Sequence, residues 1–458
     1  MVIGNLLLFV PLQIVVQNNK GGTICTTYCG GTIKHGGTDN NTIMNKDKHI
    51  PSGYKPSPIG PIPEDWEVKR LECAFHLQGG FAFKSEEYKE SGIPIIRISN
   101  LPQNGKYVDI NDCVYSDRDD ISKQFHIVYD DLLIAMSGAT TGKVAVYKDN
   151  NSAYLNQRVG LFKQTSDVII YQYLTFLVTS DMYSNQLKPL LIAGAQPNIA
   201  PKDIENLRFP IPPIKEQKSI CNVLSLWDTA IEKQTALIEK LTLRKRGLMQ
   251  QLLTGKKRLK GFEGEWEKRT YSSILKEIKR SLVWDEDELY KLISVRRRSE
   301  GLFFRESLYG REIATKNLRP AKAGDFLISK MQIVHGASGL VTEEFDNAKI
   351  SGSYIALVAK DDKILDIEYF NLWSQTPRFY HQTFISSFGV HIEKMTFDLN
   401  TFMSFGMLLP PIEEQHAIVS TMNYINEEIE IQKQKLATLQ EQKRGLMQVL
   451  LTGKKRIK

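Results

Sequence analysis

The stretch that most invites a chemical reading is Ser137–Lys143, SGATTGK, a glycine-rich turn with a lysine of the kind that cradles phosphate. Its spacing fails that reading. Three residues separate Gly138 from Gly142 where a phosphate loop has four, and Val144 stands where a magnesium-binding Ser or Thr is needed. It reads instead as a turn between strands. No HExxH pair, nucleophile elbow or dinucleotide fingerprint after a strand occurs. Nor is there the Asn/Asp-Pro-Pro-aromatic box of amino-methyltransferases. The pairs Pro212–Pro213 and Pro410–Pro411 are flanked by Ile211, Ile214, Leu409 and Ile412, none of which can hydrogen-bond an amino group. Cys25 and Cys29 have three residues between them and no second ligand pair, so the five cysteines read as reduced cytosolic thiols and not as a metal site. The eight histidines are scattered. The residues point to binding rather than to catalysis, with no metal.

Basic and amide-bearing clusters remain. From Lys291 to Lys330 there are ten Lys/Arg against four acids, a local charge of +6, in a chain whose net charge is +7. Arginine forks read guanine in the major groove and lysines neutralise phosphate. Arg296, Arg297, Arg298, Arg305 and Lys330 are therefore candidate DNA contacts, with Gln332 and His335 just beyond them as readers of base edges. Earlier in the chain Arg97, Ser99 and Asn100 follow a strand-like run, Lys143 ends the SGATTGK turn, and Asn156, Gln157 and Arg158 cluster. Asn and Gln pair with two atoms of adenine. The competing reading of each is a turn cap that satisfies loop backbone.

Recognition clusters need a frame, and the chain carries its frame twice. Residues 214–258 and 412–456 align without a gap at an offset of 198 and share the ending KRGLMQ, two residues, then LTGKKR. Internal repetition fixes architecture. Apolar residues keep a 3-then-4 spacing, with a seam through Leu224, Trp227, Ile231, Ile238, Leu241 and Leu248 in the first copy. In the second copy it runs through Met422, Ile425, Ile429, Leu436, Leu439 and Leu446. The polar breaks coincide, Gln234 with Gln432 and Lys245 with Lys443. A seam this long predicts two helices that pair as a coiled coil, each a rod of roughly 60 Å. The Pro-Pro pairs mark the helix starts, and Gly255 and Gly453 mark left-handed C-caps. The basic tails Lys256–Arg258 and Lys454–Arg456 either meet phosphate or complement the helix dipole.

Trp66 in EDWEVKRL has a counterpart in Trp266 of GEWEKRTY, so the order is globular unit, helix, globular unit, helix. The predicted divisions are an extension and polar lead-in over 1–57, a first globular domain over 58–213, the central helix over 214–258, a second domain over 259–411 and the distal helix over 412–458. Each domain reads as α+β with antiparallel or mixed sheet. Strands are expected at Ile93–Ser99, Leu132–Ala135, Val144–Tyr147, Lys291–Val295, Phe326–Ser329 and Tyr354–Ala359. Helices are expected at Val168–Thr179 and near Ile367–Gln375. Between their matched ends the domains diverge, with LLIAMSGATTG beside FLISKMQIVHG as the one alignable landmark. Ile3–Val16 is too short to span a bilayer and lacks a basic lead. Met44 reads as the true start, with residues 1–43 a mis-called or disordered extension. A cytoplasmic location with no membrane partner is expected.

PEDWEVKRL, IPIIRISN, GAQPNIAPKDIENLRFPIPPIKEQ and the repeated PPIxEQ…KRGLMQ-LLTGKKR together resemble the specificity subunits of type I restriction–modification systems over about residues 58–458. The resemblance implies two target-recognition domains held in inverted orientation by an antiparallel coiled coil, an internal pseudo-two-fold. Each domain would read one half of a bipartite, asymmetric site in double-stranded DNA, with Gln196 of GAQPNI among the contacts. The helices would set the spacer and dock two DNA methyltransferase subunits, and two restriction/translocase subunits would complete a site-specific deoxyribonuclease and adenine methyltransferase. S-adenosylmethionine, ATP and Mg²⁺ would bind those partners, and this chain would have no active site of its own. The second domain departs from the pattern, with SSFGVHIEKM (Ser386–Met395) where the GAQPNI-type loop belongs. Two rival readings are a recognition chain of another methyltransferase or nuclease system, and a coiled-coil scaffold that binds only protein.

Overall fold

In a computed structural model of the chain, residues 50–102, 105–192 and 198–457 are described. The expected start at Met44, the extension before it and Gln196 lie outside them. The repeat seen in the helices extends to the sheets. In the first half, strands Phe75–Gly79, Val159–Gln164, Leu132–Ala135 and Val144–Val146 form an antiparallel sheet in that order. In the second, Leu275–Ile278, Tyr354–Ala359, Phe326–Ser329 and Ser338–Leu340 take the same four places. A second four-stranded sheet accompanies each, Val114–Ser116, Ile93–Ile96, Ala153–Leu155 and His126–Ile127 in one half. Its counterpart is Leu302–Tyr309, Leu289–Val295, Lys349–Ser351 and Leu318–Pro320. Each of these contains one parallel pairing, so the sheets are mixed. The landmark pair Leu132–Ala135 and Phe326–Ser329 thus occupies equivalent strands, both fully buried.

Several expected elements are shorter than the apolar runs that suggested them. The strand from Ile93 stops at Ile96, because the Asn100 side chain accepts the Arg97 N–H at 2.9 Å and turns the backbone into a short 3-10 helix. The helix within Val168–Thr179 covers Tyr171–Val178, and the one near Ile367–Gln375 covers Ile367–Trp373.

In each half the strand that follows the entry tryptophan pairs with the exit strand, Glu67–Arg70 with Arg208–Ile211 and Glu267–Thr270 with Gly406–Leu409. This closes each domain and aims its exit strand into the proline pair and the helix beyond. The helices span Ile214–Leu253 and Ile412–Leu450, 40 and 39 residues. They run side by side in opposite directions. Midway, the buried Gln234 donates its amide to the Gln432 Oε1 at 2.8 Å and carbonyl at 3.0 Å. All twelve seam residues are buried or half-buried. Neither helix belongs to one globule alone. Ile220 and Leu224 from the start of the first helix join Met447, Leu450 and Leu451 from the end of the second in the first domain's core. Leu252 and Leu253 join Ile418, Val419 and Met422 in the second domain's core. Burial of whole Leu, Ile and Met side chains at about 1.5–3 kcal/mol each makes these shared ends strong.

Candidate nucleic-acid interface

Two buried latches set where the domains sit on the helices. Trp66 donates Nε1–H to Glu216 Oε2 at 2.9 Å, and Arg456 grips the same carboxylate at 2.6 and 2.7 Å. At the other end Trp266 donates to Glu414 at 3.0 Å, and Arg258 grips it at 2.5 and 2.6 Å. Each guanidinium also lies over its tryptophan ring, 5.6 and 5.5 Å from the centroid. The paired carboxylates raise both arginine pKa values further. Thus the carboxy-terminal tail of each helix is tied to the start of the other. Next to each glutamate, the buried Gln217 and Gln415 hold loop backbone. Gln217 accepts from Ile170 N and donates to Val168 O and Pro212 O; Gln415 accepts from Asp366 N and donates to Ile364 O and Pro410 O. Sequence reasoning noticed the repeated Trp, the Glu-Gln and the Arg separately but missed that they meet. The signal was their common register. It corrects the reading of the basic tails, because Arg258 and Arg456 are engaged internally, while Lys256, Lys257, Lys454 and Lys455 are exposed.

In the first domain, three of the proposed segments gather at one end. The SGATTGK stretch is a hairpin turn between Leu132–Ala135 and Val144–Val146, with Gly138 and Gly142 at positive φ. Thr140 Oγ1 donates to the Ile98 carbonyl at 3.1 Å, and Met136 N donates to the Arg158 carbonyl at 2.9 Å. Residues 97–100, 137–143 and 156–158 are therefore neighbours. Ser99, Lys143, Gln157 and Arg158 are exposed. Gln157 and Arg158 line a depression of about 610 Å³ with Ser137 and residues 198–201. Arg97 stacks on Tyr88, and its Nε is buried without a partner among the described residues, as is Ser137 Oγ.

Two candidates are corrected by burial. Asn100 is 1% exposed, and its amide donates to the carbonyls of Asp109 and Asp112 at 3.0 and 3.1 Å while its oxygen caps Arg97. Asn156 is buried, and its Oδ1 accepts the Arg158 N–H at 3.3 Å. Both hold turns rather than present an edge to a base.

In the second domain the hairpin turn after Val295 meets the loop after Ser329. Arg298 N donates to the His335 carbonyl at 2.7 Å and Ser299 N to the Gly336 carbonyl at 2.8 Å. This joins Arg296, Arg297 and Arg298 to Lys330, Gln332 and His335. Gln332 Oε1 and Ser338 Oγ are buried and without a hydrogen-bond partner among the described residues. The +6 of the basic run is smaller in three dimensions. Arg297 pairs with Glu393, Arg311 with Asp287, Lys316 with Glu286 and Lys322 with Asp346, all acids outside the run. Arg305 pairs with Glu306 on the outgoing strand, and Lys330 Nζ donates to the Gly352 carbonyl at 3.2 Å. Glu393 Oε1 also lies 3.1 Å from His335 Nε2, so the SSFGVHIEKM loop reaches this cluster. Phe388, Val390 and Ile392 of that loop are exposed.

Among the described residues, no group of three or more His, Cys, Asp or Glu is placed to hold a metal, and no helix is long and apolar enough to cross a membrane.

A family model for the type I restriction modification DNA specificity domain matches residues 63–243 and again 264–441. The chain is 33% identical over 261 residues to the MjaVIII type I restriction enzyme specificity subunit of Methanocaldococcus jannaschii, an alignment covering 56% of this chain and 58% of that one. It is 23% identical over 396 residues to the StySPI specificity subunit of Salmonella potsdam, covering 79% and 82%. Among solved structures, the type I restriction–modification S subunit from M. genitalium aligns with a TM-score of 0.50 at 13% identity, over 84% of this chain and 96% of that one. A chain from a structure of a type I R-M system aligns with a TM-score of 0.54 at 16% identity, over 86% and 99%. At these identities the structural likeness speaks to the fold alone.

Proposed function

The chain belongs to the type I restriction–modification DNA specificity family, and from that premise we propose that it is the DNA-reading, non-catalytic subunit of such a system. Its recognition domains, over 58–213 and 259–411, each read one half of a bipartite site. The long helices act as an antiparallel coiled coil that fixes the spacer and docks two methyltransferase subunits, with two restriction/translocase subunits joining them. S-adenosylmethionine, ATP and Mg²⁺ are carried by those partners.

The observation that carries this reading is the pair of sheets of equal topology, latched to opposite ends of one helix pair, whose exposed loops differ. Equal scaffolds with unequal loops imply two different half-sites, and a rigid separation implies a fixed phase between grooves. Gln157, Arg158, Arg296, Gln332 and His335 are the proposed base readers, and Lys143 and Lys330 the phosphate contacts.

Selection of bound duplexes from a random library, using the chain assembled with its methyltransferase subunits, tests this. One asymmetric motif in two parts with a constant gap is expected. A palindromic motif, or methylation by the single chain alone, overturns it. Because both ends are latched, the ruler is tested by removing a facing heptad from each helix, between the latches. That shortens the rod by about 10 Å, or about 3 base pairs at ~3.4 Å each. An unchanged gap refutes the ruler.

A further inference from the structure

The internal repeat supplies its own control, and at one pair of equivalent places the two halves differ in charge. Each domain meets the end of a long helix across a cavity, about 560 Å³ in the first domain and about 650 Å³ in the second. Arg444 lines the first, and Arg246, its counterpart at the repeat offset of 198, lines the second. In both, a hydroxyl caps the adjacent helix of the domain. Ser180 Oγ accepts from Tyr183 N, and Thr376 Oγ1 accepts from Phe379 N, each at 3.3 Å.

The residue after the cap decides the difference. In the first domain it is Asp181, whose carboxylate takes Arg444 Nε and Nη2 at 3.1 and 3.0 Å. Asp228 lines the same cavity and pairs with Lys443 and Lys106, so the cations there are matched. In the second domain the residue after the cap is Pro377, followed by Arg378. Arg246, Arg298 and Arg378 all line that cavity, no carboxylate lines it, and none of the three is in an ion pair among the described residues.

The backbone at Arg298 is fixed by its neighbours. It and Ser299 are consecutive non-glycine residues at positive φ, 59° and 54°. Their N–H groups are tied to His335 and Gly336, and Ser299 Oγ lies 2.8 Å from the Tyr380 hydroxyl. A Cβ at Gly336 would stand 2.3 Å from that hydroxyl, so the two loops and Tyr380 are closely packed. Backbone conformations of this kind persist where the surroundings over-determine them, and they concentrate at ligand clamps.

Three arginines lining one cavity that no carboxylate lines suit a tetrahedral oxyanion, which takes paired N–H donors. The nine-residue helix Pro377–Ile385 begins at the same wall and adds the positive end of its dipole. We propose that this cavity binds a phosphate group, either a backbone phosphodiester of DNA or a small soluble phosphate of the same chemistry. The DNA source rests on the recognition role given above. It is favoured by Arg298, whose hairpin is hydrogen-bonded to the loop carrying Gln332 and His335.

The test uses the full chain and the variants Arg246→Ala, Arg378→Ala and Pro377→Asp, with Arg444→Ala as control. Pro377→Asp places a carboxylate where the first domain has one and leaves all three arginines in place. Unfolding midpoints confirm that each variant folds. Duplex binding is measured by fluorescence anisotropy across a salt series, on selected and random sequences, and pyrophosphate binding by calorimetry. For a DNA phosphate, the three variants weaken both duplexes alike, and the slope of log K against log salt falls in magnitude by about 0.9. Arg444→Ala leaves the slope unchanged. For a soluble phosphate, saturable pyrophosphate binding is lost in the same variants while DNA binding is not. Unchanged slopes together with no pyrophosphate binding, or equal effects of Arg444→Ala, overturn the site. Wild-type chain that binds no duplex, alone or assembled with its methyltransferase subunits, sinks the recognition role instead, and the pyrophosphate arm still decides the cavity.

Discussion

The two latches look alike but are not equally redundant, and that asymmetry can be measured. Arg456 is held by Glu216 and also by Asp65, at 2.7 and 2.9 Å. Arg258 has Glu414 and the Gly264 carbonyl at 2.8 Å, with no second carboxylate among the described residues. Glu414 is fully buried and Glu216 is 7% exposed at the side chain, so either loss leaves an arginine that had been partly desolvated. Removing one partner of a buried pair costs about 3–5 kcal/mol. Glu414→Ala should lie within that range. Glu216→Ala should be milder by about 1 kcal/mol, because the half-exposed Asp65 still compensates Arg456. Asp65→Ala combined with Glu216→Ala should restore the larger cost. Urea unfolding of the full chain, followed by tryptophan fluorescence, reports the order through the midpoints at constant slope. Trp66 and Trp266 sit in the two latches and report each end. Equal midpoints for Glu216→Ala and Glu414→Ala, or losses below about 1 kcal/mol for both, would refute the reasoning that these carboxylates hold the domains to the helices.

Lys245 is the repeat partner of Lys443, but Asn426 stands where Asp228 would be its acid, and burial lowers its pKa. A lysine whose folded pKa is lowered costs stability while charged. Stability should therefore rise with pH above the folded value up to about 10.5. The rise should vanish in Lys245→Met, and Asn426→Asp should raise the unfolding midpoint at neutral pH; a flat pH profile in the wild type contradicts this. Asn100→Ala should destabilise by about 1–3 kcal/mol by stranding buried polar groups, whereas Gln157→Ala should change stability by under about 0.5 kcal/mol and alter which duplexes are selected. Burial pushes the Cys221 thiol up to about 12, so an alkylating agent at neutral pH should label it only after unfolding, as mass spectrometry of peptides would reveal.

Much of the candidate site was legible as neighbourhoods and little of it as roles. Arg298, Gln332 and His335 were selected as one basic, amide-bearing stretch, and two loops do join them. Asn100 and Asn156 were selected by the same logic, yet their side chains face inward, because residue type cannot distinguish an amide that reads a base from one that caps a turn. The charge of the basic run was misjudged for a related reason. Glu286, Asp287, Asp346 and Glu393 lie outside the window, and only folding brings them beside Arg311, Lys316, Lys322 and Arg297.

Periodicity and repetition are local properties, so the sequence by itself determined the long helices, their caps, the seam and the doubling of the whole plan. It also determined the equivalence of Leu132–Ala135 with Phe326–Ser329, because a buried strand imposes its apolar run wherever it occurs. What crosses the chain was left to the tertiary structure. The union of Trp66, Glu216 and Arg456 over 390 residues of sequence, and the pairing of Asp181 with Arg444 while Arg246 has no ion pair among the described residues, are meetings of distant residues. Such meetings depend on packing and on desolvated charge, which act between neighbours in space and leave no spacing in the chain to read.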